Sequence, residues 1–172
     1  LMVIGGSQGS EILNRSIRGL IGDITQKYHL CHICGKNGVD PGLNQISGYT
    51  QFDYVNEELP HFMAMADLVI SRAGATTLFE LLALKKPNLL IPLSKQASRG
   101  DQILNARSFE KQGFSLVLPE EDLNPESLLK KINLLYDSRN EYLTAMSASQ
   151  INNGIQNVIS TIKMAAQSKK GW

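Results

Sequence analysis

Leu1-Met2-Val3-Ile4-Gly5-Gly6-Ser7-Gln8-Gly9 is an apolar run that ends on a glycine-rich turn and leads into a helical pattern. The same order returns at Leu68-Val69-Ile70, followed by Ala73-Gly74-Ala75-Thr76-Thr77. Each reads as a strand end joined to a helix start. Such a junction points unpaired backbone N–H groups and the positive end of a helix dipole at one spot, which suits a phosphate. Two of them in one short domain point to a ligand carrying a diphosphate. Glu80 lies one and a half helical turns beyond Gly74, where its carboxylate would reach an adjoining ribose.

The rest of the chain repeats this alternation. Further short apolar runs lie at His29–Cys34, Thr50–Val55, Asn88–Pro92 and Ser115–Leu118, with the first two at Leu1–Ile4 and Leu68–Ser71. Ile12, Leu13, Ile17, Leu20 and Ile21 form a stripe that predicts a helix from about Gly9 to Lys27. Leu59, Phe62, Met63 and Met65 predict a short helix, and Leu78, Leu81, Leu82 and Leu84 predict one from about Gly74 to Lys85, stopped before Pro87. Ile103, Leu104, Ala106 and Phe109 mark another that ends near Gly113. Asn124-Pro125-Glu126 is a cap residue, a proline and an acid at a helix start, with Leu128, Leu129, Ile132 and Leu135 behind it. A last helix is predicted from about Ser147 to Ala166. Strands alternating with helices imply a parallel sheet covered on both faces, an α/β, Rossmann-like, doubly wound fold. In such sheets ligands bind at the carboxyl ends of the strands, where both turns fall. Residues 36–47 are the one long irregular stretch and read as a surface loop.

At 172 residues the chain fits one domain with a sizeable core. Hydrophobic residues make up 42% and charged residues 19%, as in an ordinary globular protein. The net charge of +1 shows none of the basic excess of a nucleic-acid binder. No apolar run reaches a membrane span of roughly 20 residues. Two cysteines suggest a reducing compartment rather than a disulfide framework. The chain starts inside a strand, so Leu1 reads as a cut point in a longer protein, and Ser168-Lys169-Lys170-Gly171-Trp172 reads as a polar tail.

The candidate binding residues each carry two readings. Gly6, Ser7, Gln8 and Gly9 form neither the dinucleotide fingerprint nor a Walker loop. They either approach a phosphate or make a glycine turn whose serine caps the next helix. Gly74, Ala75, Thr76 and Thr77 either receive a phosphate or form a simple cap. Glu80 either accepts two ribose hydroxyls or is a solvated helix residue. Asp101, Gln102 and Asn105 open another helix. The two amides, three residues apart, share a face and either read sugar hydroxyls or form a polar helix start. His29-Leu30-Cys31-His32-Ile33-Cys34 tempts a metal reading, yet strand alternation splits its ligands between two faces, so a buried strand is expected and no metal. His61, beside Pro60 at a helix start, reads as a local cap or a cleft residue, with no case for catalysis. No nucleophile–base pair is visible, so no catalytic residue is assigned.

Taken in order, Gly5-Gly6-Ser7-Gln8-Gly9-Ser10 with Leu13-Asn14, His32-Ile33-Cys34-Gly35-Lys36, Asp67 to Thr77 with Glu80, Pro87, Ile91-Pro92 and Asp101-Gln102 with Asn105-Ala106 resemble the carboxyl-terminal half of the MurG family. The motif match runs from Leu1 to about Leu118. The resemblance implies half of a GT-B glycosyltransferase, in which residues 1–166 bind UDP-N-acetylglucosamine and residues 167–172 form a tail. It implies transfer of N-acetylglucosamine to lipid-linked N-acetylmuramoyl pentapeptide in peptidoglycan synthesis, with inversion and without a cofactor. Ser7 and its loop, with Thr76 or Thr77, would meet the diphosphate. Glu80 would hold the ribose, Gln102 and Asn105 the sugar with Asp101 nearby, and backbone groups at Val55 and Asn56 the uracil. The acceptor site and catalytic base would lie in an amino-terminal domain that this chain lacks. The whole protein would be cytoplasmic and peripheral on the inner face of the plasma membrane. Another GT-B enzyme, such as a glycolipid transferase or an epimerase, and a nucleotide-sugar-binding subunit with a separate partner chain are the alternatives.

Overall fold

The computed structural model describes residues 1–6 and 8–149. Its centre is a six-stranded parallel sheet of β1 (Met2–Ile4), β2 (Leu30–Ile33), β3 (Tyr49–Phe52), β4 (Val69–Ser71), β5 (Asn88–Leu90) and β6 (Leu116–Val117). The spatial order is β3-β2-β1-β4-β5-β6. Val3 aligns with His32 on one side and Ile70 on the other. The chain therefore winds outward from β1 in one direction, returns, and winds outward from β4 in the other. The reversal leaves a crevice between the carboxyl ends of β1 and β4, where a doubly wound sheet binds its ligand. Both glycine turns open there.

The helices are α1 (Glu11–Arg18), α2 (Ile21–Thr25), α3 (Leu59–Met65), α4 (Ala75–Ala83), α5 (Asp101–Lys111), α6 (Pro125–Asp137) and α7 (Arg139–Ala148). They form two layers because the strands present apolar side chains on both faces. Val3, Leu30, Ile70 and Leu89 join Leu13, Ile17, Ile21 and Ile24 of α1 and α2 and Leu128, Ile132 and Leu135 of α6. Met2, Ile33, Val69 and Leu90 join Met63, Leu78, Leu81, Leu82, Phe109 and Met146 on the other face. Each fully buried side chain of this size contributes roughly 1.5–3 kcal/mol relative to exposure.

One expectation needs correction. The single helix expected from Gly9 to Lys27 is two helices. Gly19 closes α1 by donating to the Arg15 carbonyl, and Leu20 leaves helical geometry at φ −118°. A glycine at that point weakens continuation, while Leu20 and Ile21 stay buried on the far side of the break. Helix α7 was not expected, and it ends at Ala148, close to where the helix expected from about Ser147 to Ala166 would begin. Ser147 and Ala148 are common to both, Ser149 is extended, and the expected helix from residue 150 onward lies outside the described residues. The Asn124 cap is as expected: its side chain accepts from the Ser127 N–H, and Ser127 Oγ accepts from the Asn124 N–H.

Candidate functional site

The loop after β1 is built to lie flat against the loop after β2. Gly9 has φ +76°, and a Cβ there would overlap the Cys34 carbonyl. Gly35 faces it in the same close backbone approach. Asn14 Nδ2 also donates to the Cys34 carbonyl at 2.8 Å, which turns its Oδ1 toward His32 Nε2 at 3.0 Å. The ring therefore carries its proton on Nε2 and accepts at Nδ1 from the Tyr49 hydroxyl at 3.0 Å. Burial, helped by the positive charge of Arg18, lowers the His32 pKa to about 4. Both ring nitrogens serve this scaffold, so His32 has none to offer a metal. Among the described residues no group of three His, Cys, Asp or Glu side chains is placed to hold one. Cys31 and Cys34 are free thiols whose pKa values burial raises.

The second turn is uncapped. Gly74 is the N-cap of α4 and supplies no side-chain hydrogen bond, whereas Ser10 caps α1 by accepting from the Leu13 N–H at 3.4 Å. The first helical bond of α4 runs from the Leu78 N–H to the Gly74 carbonyl. The N–H groups of Ala75, Thr76 and Thr77 therefore have no intrahelical acceptor. Gly74 has ordinary φ −68°, and a Cβ placed there would meet nothing within 4 Å. Neither backbone strain nor packing demands glycine at this position, and the space above it is open.

Neighbouring elements hold this turn in place. Gln102 Oε1 accepts from the Ala73 N–H at 3.3 Å and from the Leu93 N–H at 3.2 Å. Asn105 Nδ2 donates to the Ala73 carbonyl at 3.1 Å. The two amides of α5 thus clasp one residue, Ala73, by its N–H and its C=O at the foot of the turn, which leaves Gln102 Nε2 and Asn105 Oδ1 for other partners. Gly5, Gln8, Gly9, Arg72, Gln102 and Glu120 line a cleft of 470 Å³ over β1, β4 and β5. A second cavity, 650 Å³, lies on the α1 side and is lined by Gln8, Gly9, Arg15, Arg18, Lys36 and Asp40, among others.

The structure thus brings Gln8, Gly9 and Gln102 to one cleft and ties Asn105 to the same turn. Gly6, Thr76, Glu80, Asn56 and Asp101 are exposed, and Thr77 is half-buried. Val55 sends its side chain into the second core cluster. Its backbone N–H and C=O form no hydrogen bond among the described residues. Ser7 lies outside the described residues. Two features escaped sequence reasoning. Arg72 stood in a quoted motif without a role; a charged residue between a buried strand and a small-residue turn was its signal. Glu120, on a 3-10 turn after β6, had none.

This geometry has known relatives. The chain matches the glycosyltransferase family 28 C-terminal domain over residues 1–162. It belongs to that family. This family 28 domain is 58% identical over 163 residues to a Clostridium botulinum protein (strain Hall) named UDP-N-acetylglucosamine–N-acetylmuramyl-(pentapeptide) pyrophosphoryl-undecaprenol N-acetylglucosamine transferase. It is 56% identical over 166 residues to the protein of that name from Clostridium perfringens strain SM101. The matches cover 95% and 96% of this chain but 46% of each relative, so the chain spans about half their length. Among solved structures, Acinetobacter baumannii MurG superposes with a TM-score of 0.78 at 23% identity, over 95% of this chain and 49% of that one. The calicheamicin glycosyltransferase CalG4 gives 0.69 at 15% identity, over 95% and 41%. The MurG resemblance and the Rossmann-like half of a GT-B architecture are borne out. Among the described residues no helix is long and apolar enough to cross a membrane.

Proposed function

We propose that this domain, taken as residues 1–166, is the donor-binding half of an inverting transferase. The enzyme moves N-acetylglucosamine from UDP-N-acetylglucosamine to lipid-linked N-acetylmuramoyl pentapeptide. The observation that carries the reading is the α4 N-terminus: three unpartnered N–H groups under open space, beside the switch-point crevice and clasped by Gln102 and Asn105. The diphosphate sits there and against the Gly6–Gly9 loop. Thr76 or Thr77 adds a hydroxyl, and Ser7 supplies another from the first loop. Glu80 lies about one and a half turns beyond Gly74 on α4 and accepts from the ribose hydroxyls. The free Nε2 of Gln102 and Oδ1 of Asn105 face the sugar, with Asp101 beside them. Uracil pairs with the backbone at Val55 and Asn56. The half-size match to the relatives supports placing the acceptor site and the base in an amino-terminal domain.

When the acceptor hydroxyl attacks the anomeric carbon, negative charge grows on the departing UDP. Fixed N–H dipoles aimed at that charge need no reorganisation as it develops, and they stabilise the transition state more than the ground state. The polyprenyl acceptor in the relatives' name supports peripheral placement of the whole protein on the cytoplasmic membrane face.

Glu80→Gln tests the ribose contact. Isothermal titration with UDP is expected to show a loss of about 1.5–3 kcal/mol, the range for a hydrogen bond to a charged group. Unchanged affinity would make Glu80 a surface residue only. The isolated domain is also expected to bind UDP-N-acetylglucosamine weakly and to transfer nothing in a turnover assay. Turnover by this half alone would refute the division of labour.

A further inference from the structure

We infer that Glu120 is a positioning residue of the donor cleft and acts through Arg72, an inference that rests on the donor-site reading above. Arg72 follows β4 directly and precedes the Ala73-Gly74 turn. It is only 7% exposed. Its Nη2 donates to Ser10 Oγ at 2.6 Å, and its Nη1 donates to the Ile91 carbonyl at 3.1 Å. Nη1 also meets Glu120 Oε2 at 2.5 Å. That approach lies off the hydrogen-bond direction, so it is a charge contact, and Arg72 Nε has no acceptor among the described residues. Ser10, Ile91 and Glu120 follow β1, β5 and β6. One guanidinium therefore joins four strand ends.

The consequence is geometric. Ser10 is the N-cap of α1, so Arg72 fixes the glycine loop after β1 relative to the turn after β4. These are the two turns that share the diphosphate. A planar fork fixed at several points sets their separation, which a flexible lysine cannot do. The guanidinium lies on the floor of the 470 Å³ cleft, with Glu120 in the same lining. Each Nη makes one hydrogen bond to the protein, to the Ile91 carbonyl and to Ser10 Oγ, so Arg72 is held as a strut between the two turns. A buried guanidinium stays in place only if its charge is answered, and Glu120 answers it.

The test is calorimetric titration of the domain with UDP, paired with thermal melting and amide NMR spectra. The unsubstituted domain binds UDP. Glu120→Gln is expected to bind about tenfold more weakly, and Ser10→Ala several-fold more weakly. The Ser10→Ala/Glu120→Gln double variant is expected to bind no more weakly than Glu120→Gln, because both act through one side chain. Arg72→Met/Glu120→Met leaves no buried charge, so it keeps its melting temperature and still loses affinity. In the spectra, Glu120→Gln shifts the Gly9 and Gly74 amides and leaves Gly48, at the opposite end of the sheet, in place. Wild-type affinity in Glu120→Gln, or additive losses in the double variant, would overturn the inference. Tighter binding by Glu120→Gln would also overturn it, by making Arg72 a direct ligand. Failure of the unsubstituted domain to bind UDP is a separate result, which defeats the donor-site reading and the inference with it.

Discussion

Gly74→Asp is expected to weaken UDP binding about 100-fold, or about 3 kcal/mol, while leaving the domain at least as stable as before. The two effects have opposite signs for one reason. Aspartate at an N-cap accepts from the N–H groups of the next turn, and its charge suits the positive end of the helix. At α4 those N–H groups are free, and the new side chain would enter open space. Stability is therefore held or raised. The carboxylate then occupies the position proposed for the diphosphate and repels it. Uridine, which has no phosphate, is expected to lose much less affinity in the same titration. Equal losses for uridine and UDP, or none for either, would remove the phosphate from the α4 terminus.

Acid is expected to destabilise the domain through His32. In the folded protein the ring is buried and neutral, with its pKa lowered to about 4. In the unfolded chain it returns to 6.5, the ordinary value. Between these two pH values the unfolded state binds the extra proton. The His32 contribution is thus fully present above pH 6.5, declines as pH falls, and is gone near pH 4. The gap corresponds to about 3 kcal/mol. Denaturant titrations at pH 7.5 and pH 5 are expected to differ by about 2 kcal/mol from this residue alone. His32→Gln loses stability at neutral pH but lacks that component of the pH slope. Parallel slopes for the two proteins would show that His32 does not sense the proton.

Much of this was legible because it follows from local pattern. Leu68-Val69-Ile70 before Ala73-Gly74 has one physical solution, a buried strand that breaks into a helix start. Repeating that unit forces a parallel sheet with its ligand at the carboxyl ends. Asn124-Pro125 marked α6 because a cap is a short-range chemical device. The break at Gly19 was hidden by the apolar stripe running through it, since Ile17 before the bend and Leu20 and Ile21 after it are all buried. Helix α7 was missed because Met146 is its one buried residue, which is too little for a stripe.

The site divided along the same line. Gly74 and Gln102 were readable as candidates from local pattern, but the clasp on Ala73 was not, because that contact joins residues 29 positions apart. The Arg72–Glu120 pair depends wholly on how four strand ends converge. Sequence spacing carries no record of such a meeting. The reading of Gln102 and Asn105 as sugar readers gains a second duty: each amide spends one end on the protein and keeps one end free.

A crystal structure of the domain soaked with UDP-N-acetylglucosamine would locate the diphosphate. Phosphate oxygens are expected on the N–H groups of Ala75 to Thr77 and on the Gly6–Gly9 loop, with both ribose hydroxyls on Glu80. Nucleotide seated instead in the 650 Å³ cavity between α1 and the Lys36 loop, with the α4 terminus left to water, would contradict the donor-site reading.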